Sequence, residues 1–127
     1  MRKAWQEKLR LGLLKKDNEK VLVTGGSGMV GYAFKKQLPS AEYPNRFELQ
    51  SMQESVSRED KLKGNSVIHL AASVGGVQAN IDKVADFYIE NSVLNERLLH
   101  AACLGKARKV VSVLSTCVYP DAPYVKY

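Results

Sequence analysis

Near the end of the sequence Ser115, Thr116 and Cys117 follow the β-branched run "VVSVLS". A serine hydroxyl can stabilise charge that builds on a carbonyl oxygen. A thiol of lowered pKa can move a proton. Far upstream, "VTGGSGMVG" sets Gly25, Gly28 and Gly31 in a G-x-x-G-x-x-G spacing, and Gly26, Gly28 and Gly31 also satisfy G-x-G-x-x-G. In such a turn one glycine takes the sharp bend from strand to helix and one lets the backbone approach a pyrophosphate. A third lets the helix close onto the strand. The amides of Ser27, Gly28, Met29 and Val30 then face an anion from a helix N-terminus, where the dipole favours negative charge. The chemistry implied is a dinucleotide held at one strand end and reacting groups at another; a merely tight structural turn is the alternative for the glycines.

Strands and helices must bring these residues together. "KVLVTGG" reads as a strand entering the glycine turn, and Val30, Phe34 and Leu38 carry helical spacing up to Pro39 and the cluster "PSAEYPN". "SVIHLAA" is a second buried strand and "SVGGVQAN" a flexible loop. "DKVADFYIENSVLNERLLHAACLG" is the longest helix, with a stripe of Val84, Phe87, Leu94, Leu98 and Ala102 and with Gly105 as terminator. "VVSVLS" is the last strand. Between these lies "RFELQSMQESVSREDKLKGN", in which "FELQ" reads as a brief strand and "SVSREDKLK" as a short helix stopped by Gly64. Strand and helix alternate, which argues for an α/β, Rossmann-like parallel sheet with helices on both faces. Ligands in such sheets bind beyond the carboxyl ends of the strands. The small residues Ala71 and Ala72 leave room there for a flat ring or a ribose.

Other polar residues have more ordinary readings. His69 sits inside its strand and reads as a hydrogen-bonded core histidine, with a catalytic base as the alternative. His100 reads as a helix-face residue. Asn91 falls on the apolar stripe, where a buried amide needs partners; pairing with backbone groups near the cofactor edge is the expected use. Cys103 reads as an inert core thiol. Glu42 and Glu48 lie about 20 residues past the glycine turn, where a ribose-binding acid is usual, yet surface carboxylates describe them equally well.

The 127-residue chain has a formal net charge of +6. Residues 1–20 hold +4 of it, so the remainder is nearly balanced and a nucleic-acid-binding face is not expected. Two cysteines give neither a disulfide framework nor a metal spacing, and no metal site is expected. No apolar run reaches the length of a membrane span, and no secretory leader is evident; a cytoplasmic location is expected. Three segments follow: a basic helical arm over 1–19, a dinucleotide-binding domain over 20–122 and a tail over 123–127.

Over about residues 20–122 the chain resembles the extended short-chain dehydrogenase/reductase superfamily, and within it the epimerase-reductases of the GDP-L-fucose synthase type. The segments that carry the resemblance are "VLVTGGSGMVG", "VIHLAASVGGVQANI", "ADFYIEN" and "GKARKVVSVLSTCVYPD". The resemblance implies NADP(H) as cofactor, held by the Gly25–Gly31 turn and flanked by Ala71 and Ala72. It implies Ser115 as the serine on the substrate carbonyl and Cys117 as the acid/base of epimerisation, acting on a nucleotide sugar. It also marks departures. The reductase pair Tyr-x-x-x-Lys is expected downstream of the last strand, and Tyr124-Val125-Lys126 has the wrong spacing. The second-strand region is about ten residues short. The chain therefore reads as the N-terminal portion of such an enzyme, inactive alone, with a homodimer or association with a full-length subunit left open.

Overall fold

The computed structural model describes residues 20–45, 48 and 62–115. Among these residues six elements follow one another: β1 (Val21–Thr24), α1 (Met29–Gln37), β2 (Ser66–His69), α2 (Val77–Asp82), α3 (Val84–Leu104) and β3 (Lys109–Ser112). The strands form one sheet in the order β1-β2-β3. Both pairings are parallel, with Leu22 beside Val67 and Val67 beside Val110.

Period-two alternation along the strands divides the apolar side chains between two faces. Val21, Val23 and Ile68 point to one face, where Phe34 and Leu38 of the α1 segment cover them. Leu22 and Val67 point to the other, against Leu98 and Ala102 of α3 and against Leu62. Helices on both faces of a parallel sheet are thus the observed architecture. Val23 and Val67 are fully buried; each such side chain contributes about 1.5–3 kcal/mol relative to exposure.

The long helix meets the sheet over only part of its length. α3 has 21 residues, about 31 Å at 1.5 Å per residue, whereas a four-residue strand such as β2 spans about 13 Å. The expected stripe is accordingly buried at Leu98 and Ala102, half-buried at Phe87 and Leu94, and exposed at Val84. Cys103 is exposed, not a core thiol: it follows Ala102 by one residue, a rotation of about 100° away from the sheet. The segment expected to be a flexible loop is shorter than "SVGGVQAN", because Val77–Asp82 is helical, with Gly76 at its N-cap. The Asn80 amide donates to the carbonyls of Gly75 and Gly76, tying that helix to the loop before it.

The second strand survives as a single bridge. Glu42 pairs in parallel with Leu22. Its amide donates to the Val21 carbonyl at 2.8 Å, and its carbonyl accepts from the Val23 amide at 2.8 Å. "FELQ" is no strand at Glu48, which has helical backbone. The Glu48 carboxylate accepts from the Asn45 amide at 2.7 Å while the Asn45 side-chain oxygen accepts from the Glu48 amide at 2.9 Å, a reciprocal capping box. The basic arm, residues 55–61 of the expected "SVSREDKLK" helix, Thr116, Cys117 and the tail lie outside the described residues, and Leu62 and Lys63, the expected end of that helix, lie in a turn. Among the described residues no helix is long and apolar enough to cross a membrane.

Candidate functional site

The parallel order brings three chain ends to one edge of the sheet: Gly25 after β1, Leu70 and Ala71 after β2, and Val113 to Ser115 after β3. A cavity of about 630 Å³ opens at the first two of these ends. The Gly25–Gly31 turn lines it, together with Ala71, Ala72, Leu70, Val74, Leu94, Lys35 and the short run Tyr43, Pro44 and Asn45.

The glycines divide the labour by geometry. Gly25 has φ +73°, and a Cβ there would stand 2.7 Å from the Ala71 amide nitrogen. A Cβ at Gly31 would overlap the Gly25 carbonyl oxygen, so Gly31 is what allows α1 to start this close to β1. Gly28 differs: a Cβ there would meet only the Gly25 carbonyl oxygen, at an ordinary 3.4 Å. Its open side is the cavity. Gly28 is also the N-cap of α1, with no side-chain cap and no acidic residue in the first turn. The first amides of a helix have no acceptor within it, and here no side chain supplies one. That is the arrangement expected of a backbone cradle for a phosphate.

A buried polar network holds the β1 and β2 ends in place. Thr24 is fully buried and His69 is 4% exposed. The Thr24 hydroxyl oxygen accepts from the amides of Leu70 at 3.2 Å and Ala71 at 3.1 Å. It lies 2.7 Å from Nδ1 of His69, and His69 Nε2 lies 2.8 Å from the side-chain oxygen of Asn95 on α3. An oxygen accepting two amides donates its own proton to the third partner. Nδ1 of His69 is then the acceptor and Nε2–H the donor to Asn95. His69 is therefore the hydrogen-bonded core histidine expected. Thr24, which sequence reasoning passed over, is the hub; its signal was a hydroxyl ending an otherwise apolar buried strand directly before the glycine turn. Asn91 clasps the loop after β2: its side-chain oxygen accepts from the Ser73 amide at 2.7 Å and its Nδ2 donates to the Ser73 carbonyl at 2.8 Å.

Of the proposed cofactor residues, Gly25, Ser27, Gly28, Met29, Val30, Gly31, Ala71 and Ala72 all line this cavity. Ser115 lies exposed beyond β3 on the same sheet edge and is not part of the cavity wall. Cys117 lies outside the described residues. Lys35, Tyr43 and Asn45 were missed; Lys35 comes from α1, and Tyr43 and Asn45 follow from the shortened second strand, which turns the chain at Pro44 into the place beside the glycine turn. The phenol of Tyr43 donates to the Leu38 carbonyl at 2.9 Å, and burial pushes its pKa above the ordinary tyrosine value. The sequence does contain one Tyr-x-x-x-Lys spacing among the described residues, Tyr32 and Lys36. It sits on α1, with Tyr32 60% exposed and the Lys36 ammonium 4.7 Å from its ring centroid. Neither residue lines the cavity.

Residues 21–126 match the NAD dependent epimerase/dehydratase family. The chain belongs to that family. It is 37% identical over 110 residues to GDP-L-fucose synthase of Dictyostelium discoideum, covering 80% of this chain and 34% of that protein. It is 40% identical over 115 residues to a probable GDP-L-fucose synthase of Drosophila melanogaster, covering 81% and 35%. GDP-L-colitose synthase of Yersinia pseudotuberculosis is 35% identical over 107 residues, covering 80% and 35%. Among solved structures, DdhaC superposes with a TM-score of 0.72 at 29% identity, covering 87% of this chain and 34% of that one. The chain thus spans about a third of the length of the relatives it matches. As a member of this epimerase/dehydratase family it has the Rossmann-like sheet with the glycine turn at the carboxyl edge.

Proposed function

We propose that this chain is the NADP(H)-binding portion of an epimerase-reductase of the GDP-L-fucose synthase type. The observation that carries the reading is the uncapped N-terminus of α1, which opens at Gly28 onto a cavity where a Cβ would intrude. The turn from Gly25 to Gly31 would hold the pyrophosphate through Ser27, Gly28, Met29 and Val30. Ala71 and Ala72 would flank the nucleoside, their position fixed by the Thr24 hydroxyl and the Asn91 clasp. When bound, a nicotinamide cofactor supplies the reducing equivalents.

Toward a keto-sugar substrate, the Ser115 hydroxyl would donate to the carbonyl oxygen and stabilise the charge that gathers there. The Cys117 thiol would exchange a proton at the carbon beside that carbonyl. The relatives' names support a nucleotide sugar as substrate: GDP-L-fucose synthase and GDP-L-colitose synthase both name a GDP sugar.

A second reading is a catalytically inactive dinucleotide-binding or subunit-interaction module. It is favoured by Tyr32 and Lys36, whose spacing would suit the reductase but which do not line the cavity that other residues of α1 border. One experiment tests both. The purified 127-residue chain is titrated with NADPH, followed by nicotinamide fluorescence, and is then given GDP-4-keto-6-deoxymannose. Saturable binding without NADPH consumption is expected of the chain alone. Turnover would remove the second reading, and absence of binding would remove the dinucleotide site from both, leaving a subunit-interaction module alone.

A further inference from the structure

We infer that Lys35 reads the 2′-phosphate of the dinucleotide and sets this chain's preference for NADP(H). The inference rests on the dinucleotide reading of the cavity and deepens it. At the end of the second strand two opposite chemistries are available. A carboxylate accepts from the ribose hydroxyls and repels a phosphate, whereas a cation attracts the phosphate.

The carboxylates near this place are engaged elsewhere. The Glu42 carboxylate lies 3.7 Å from the ammonium of Lys20. Lys20 precedes β1, so this pair sits at the amino end of the sheet, away from the glycine turn. One oxygen of Glu48 is taken by the Asn45 amide at 2.7 Å. Among the described residues neither acid belongs to the wall of the cavity, where Lys35 is the single charged side chain. Among the described residues no carboxylate pairs with Lys35.

The position of Lys35 is also held. A Cβ on Gly26 would stand 3.1 Å from Lys35 Cε and 2.9 Å from the Tyr43 ring, so lysine stem and ring both rest against the glycine turn. The ammonium lies 5.4 Å from the Tyr43 ring centroid, which retains it by cation–π attraction while leaving its protons free for an oxyanion. The Tyr43 ring is in turn anchored through its hydroxyl to the Leu38 carbonyl. The shortening of the second strand to the Glu42 bridge is what carries Tyr43, Pro44 and Asn45 into this wall. The basic group thus comes from α1 and not from the loop after that strand.

Calorimetric titration of the full chain with NADP+ and NAD+, which differ only by the phosphate, tests this. NADP+ should bind about tenfold or more tightly, the scale of one charge-assisted contact. In Lys35→Gln the two cofactors should bind within about threefold of each other through selective loss of NADP+ affinity, and Lys35→Arg should restore the preference. Raising the ionic strength should narrow the gap in the unmodified chain and leave Lys35→Gln unaffected. If both cofactors bind but Lys35→Gln weakens them equally or not at all, Lys35 is not the reader, and the dinucleotide reading stands. Lys35 is likewise excluded if the unmodified chain binds NAD+ as tightly as NADP+ or more tightly. If neither cofactor binds, both readings fall.

Discussion

The Thr24 hydroxyl and Nδ1 of His69, 2.7 Å apart and both buried, lock the ends of two neighbouring strands to one another. The same oxygen holds the amides of Leu70 and Ala71, the residues that a side chain on Gly25 would strike. Thr24→Ser should leave this hub working. Thr24→Val keeps the shape but removes the acceptor, at a cost of about 1–3 kcal/mol for each buried group left unsatisfied. The expected result in thermal unfolding is a clear loss for valine and a small one for serine. Nitrogen-detected NMR of His69 should report a neutral ring protonated at Nε2.

Gly31 and Gly28 separate folding from binding. Gly31→Ala forces a methyl group into the Gly25 carbonyl, and the chain should unfold at much lower denaturant concentration or fail to accumulate. Gly28→Ala meets only a 3.4 Å contact, so its unfolding midpoint should stay near that of the parent. Its methyl group would nonetheless stand where the phosphate is proposed to sit, and NADPH affinity should fall about tenfold or more. Equal affinity of Gly28→Ala and the parent would count against the cradle.

Asn91 should tolerate no apolar replacement. Asn91→Leu removes both bonds to Ser73 and leaves its half-buried amide and carbonyl to seek water, which costs about 1–3 kcal/mol in folding. The amide of Ser73 should then exchange with solvent faster by hydrogen exchange, ahead of any global change. Asn91→Asp keeps the acceptor for the Ser73 amide and should show slower exchange there than the leucine variant.

Tyr43 predicts a small alkaline effect. Burial raises its pKa above 10.0, so the folded chain favours the neutral phenol, which also donates to Leu38. The unfolded phenol ionises first, at about pH 10. Stability from this group is therefore intact below that pH and is lost as the pH rises through the higher folded value. Denaturation across this range should be less steep in Tyr43→Phe.

Much of this was legible in the sequence because it rests on local constraints. Gly25, Gly28 and Gly31 fix a turn by backbone sterics alone, and the β-branched runs fix the strands. Asn91 betrayed itself as an amide on an apolar stripe. What escaped depended on lengths and on neighbours. The exposure of Val84 follows from α3 being longer than the strands it covers. The exposure of Cys103 follows from which turn of that helix faces the sheet. Glu48 reads as part of a strand until Asn45 is paired with it in a capping box, and Thr24 acquires a role only once His69 lies beside it. The ring that holds Lys35 could not be placed without knowing that the chain after Glu42 brings Tyr43 against Gly26.

The Glu42 bridge has a consequence for how the protein avoids its own kind. With Pro39 and Pro44 close on either side of that residue, the outer flank of β1 has no stretch of free amides on which a foreign chain could lay down a ladder. Across the described sheet that protection is one-sided, since β3 stands at the other border with no further strand beside it. Among the described strands, any further strand, from this chain or from another, would therefore add along Lys109 to Ser112.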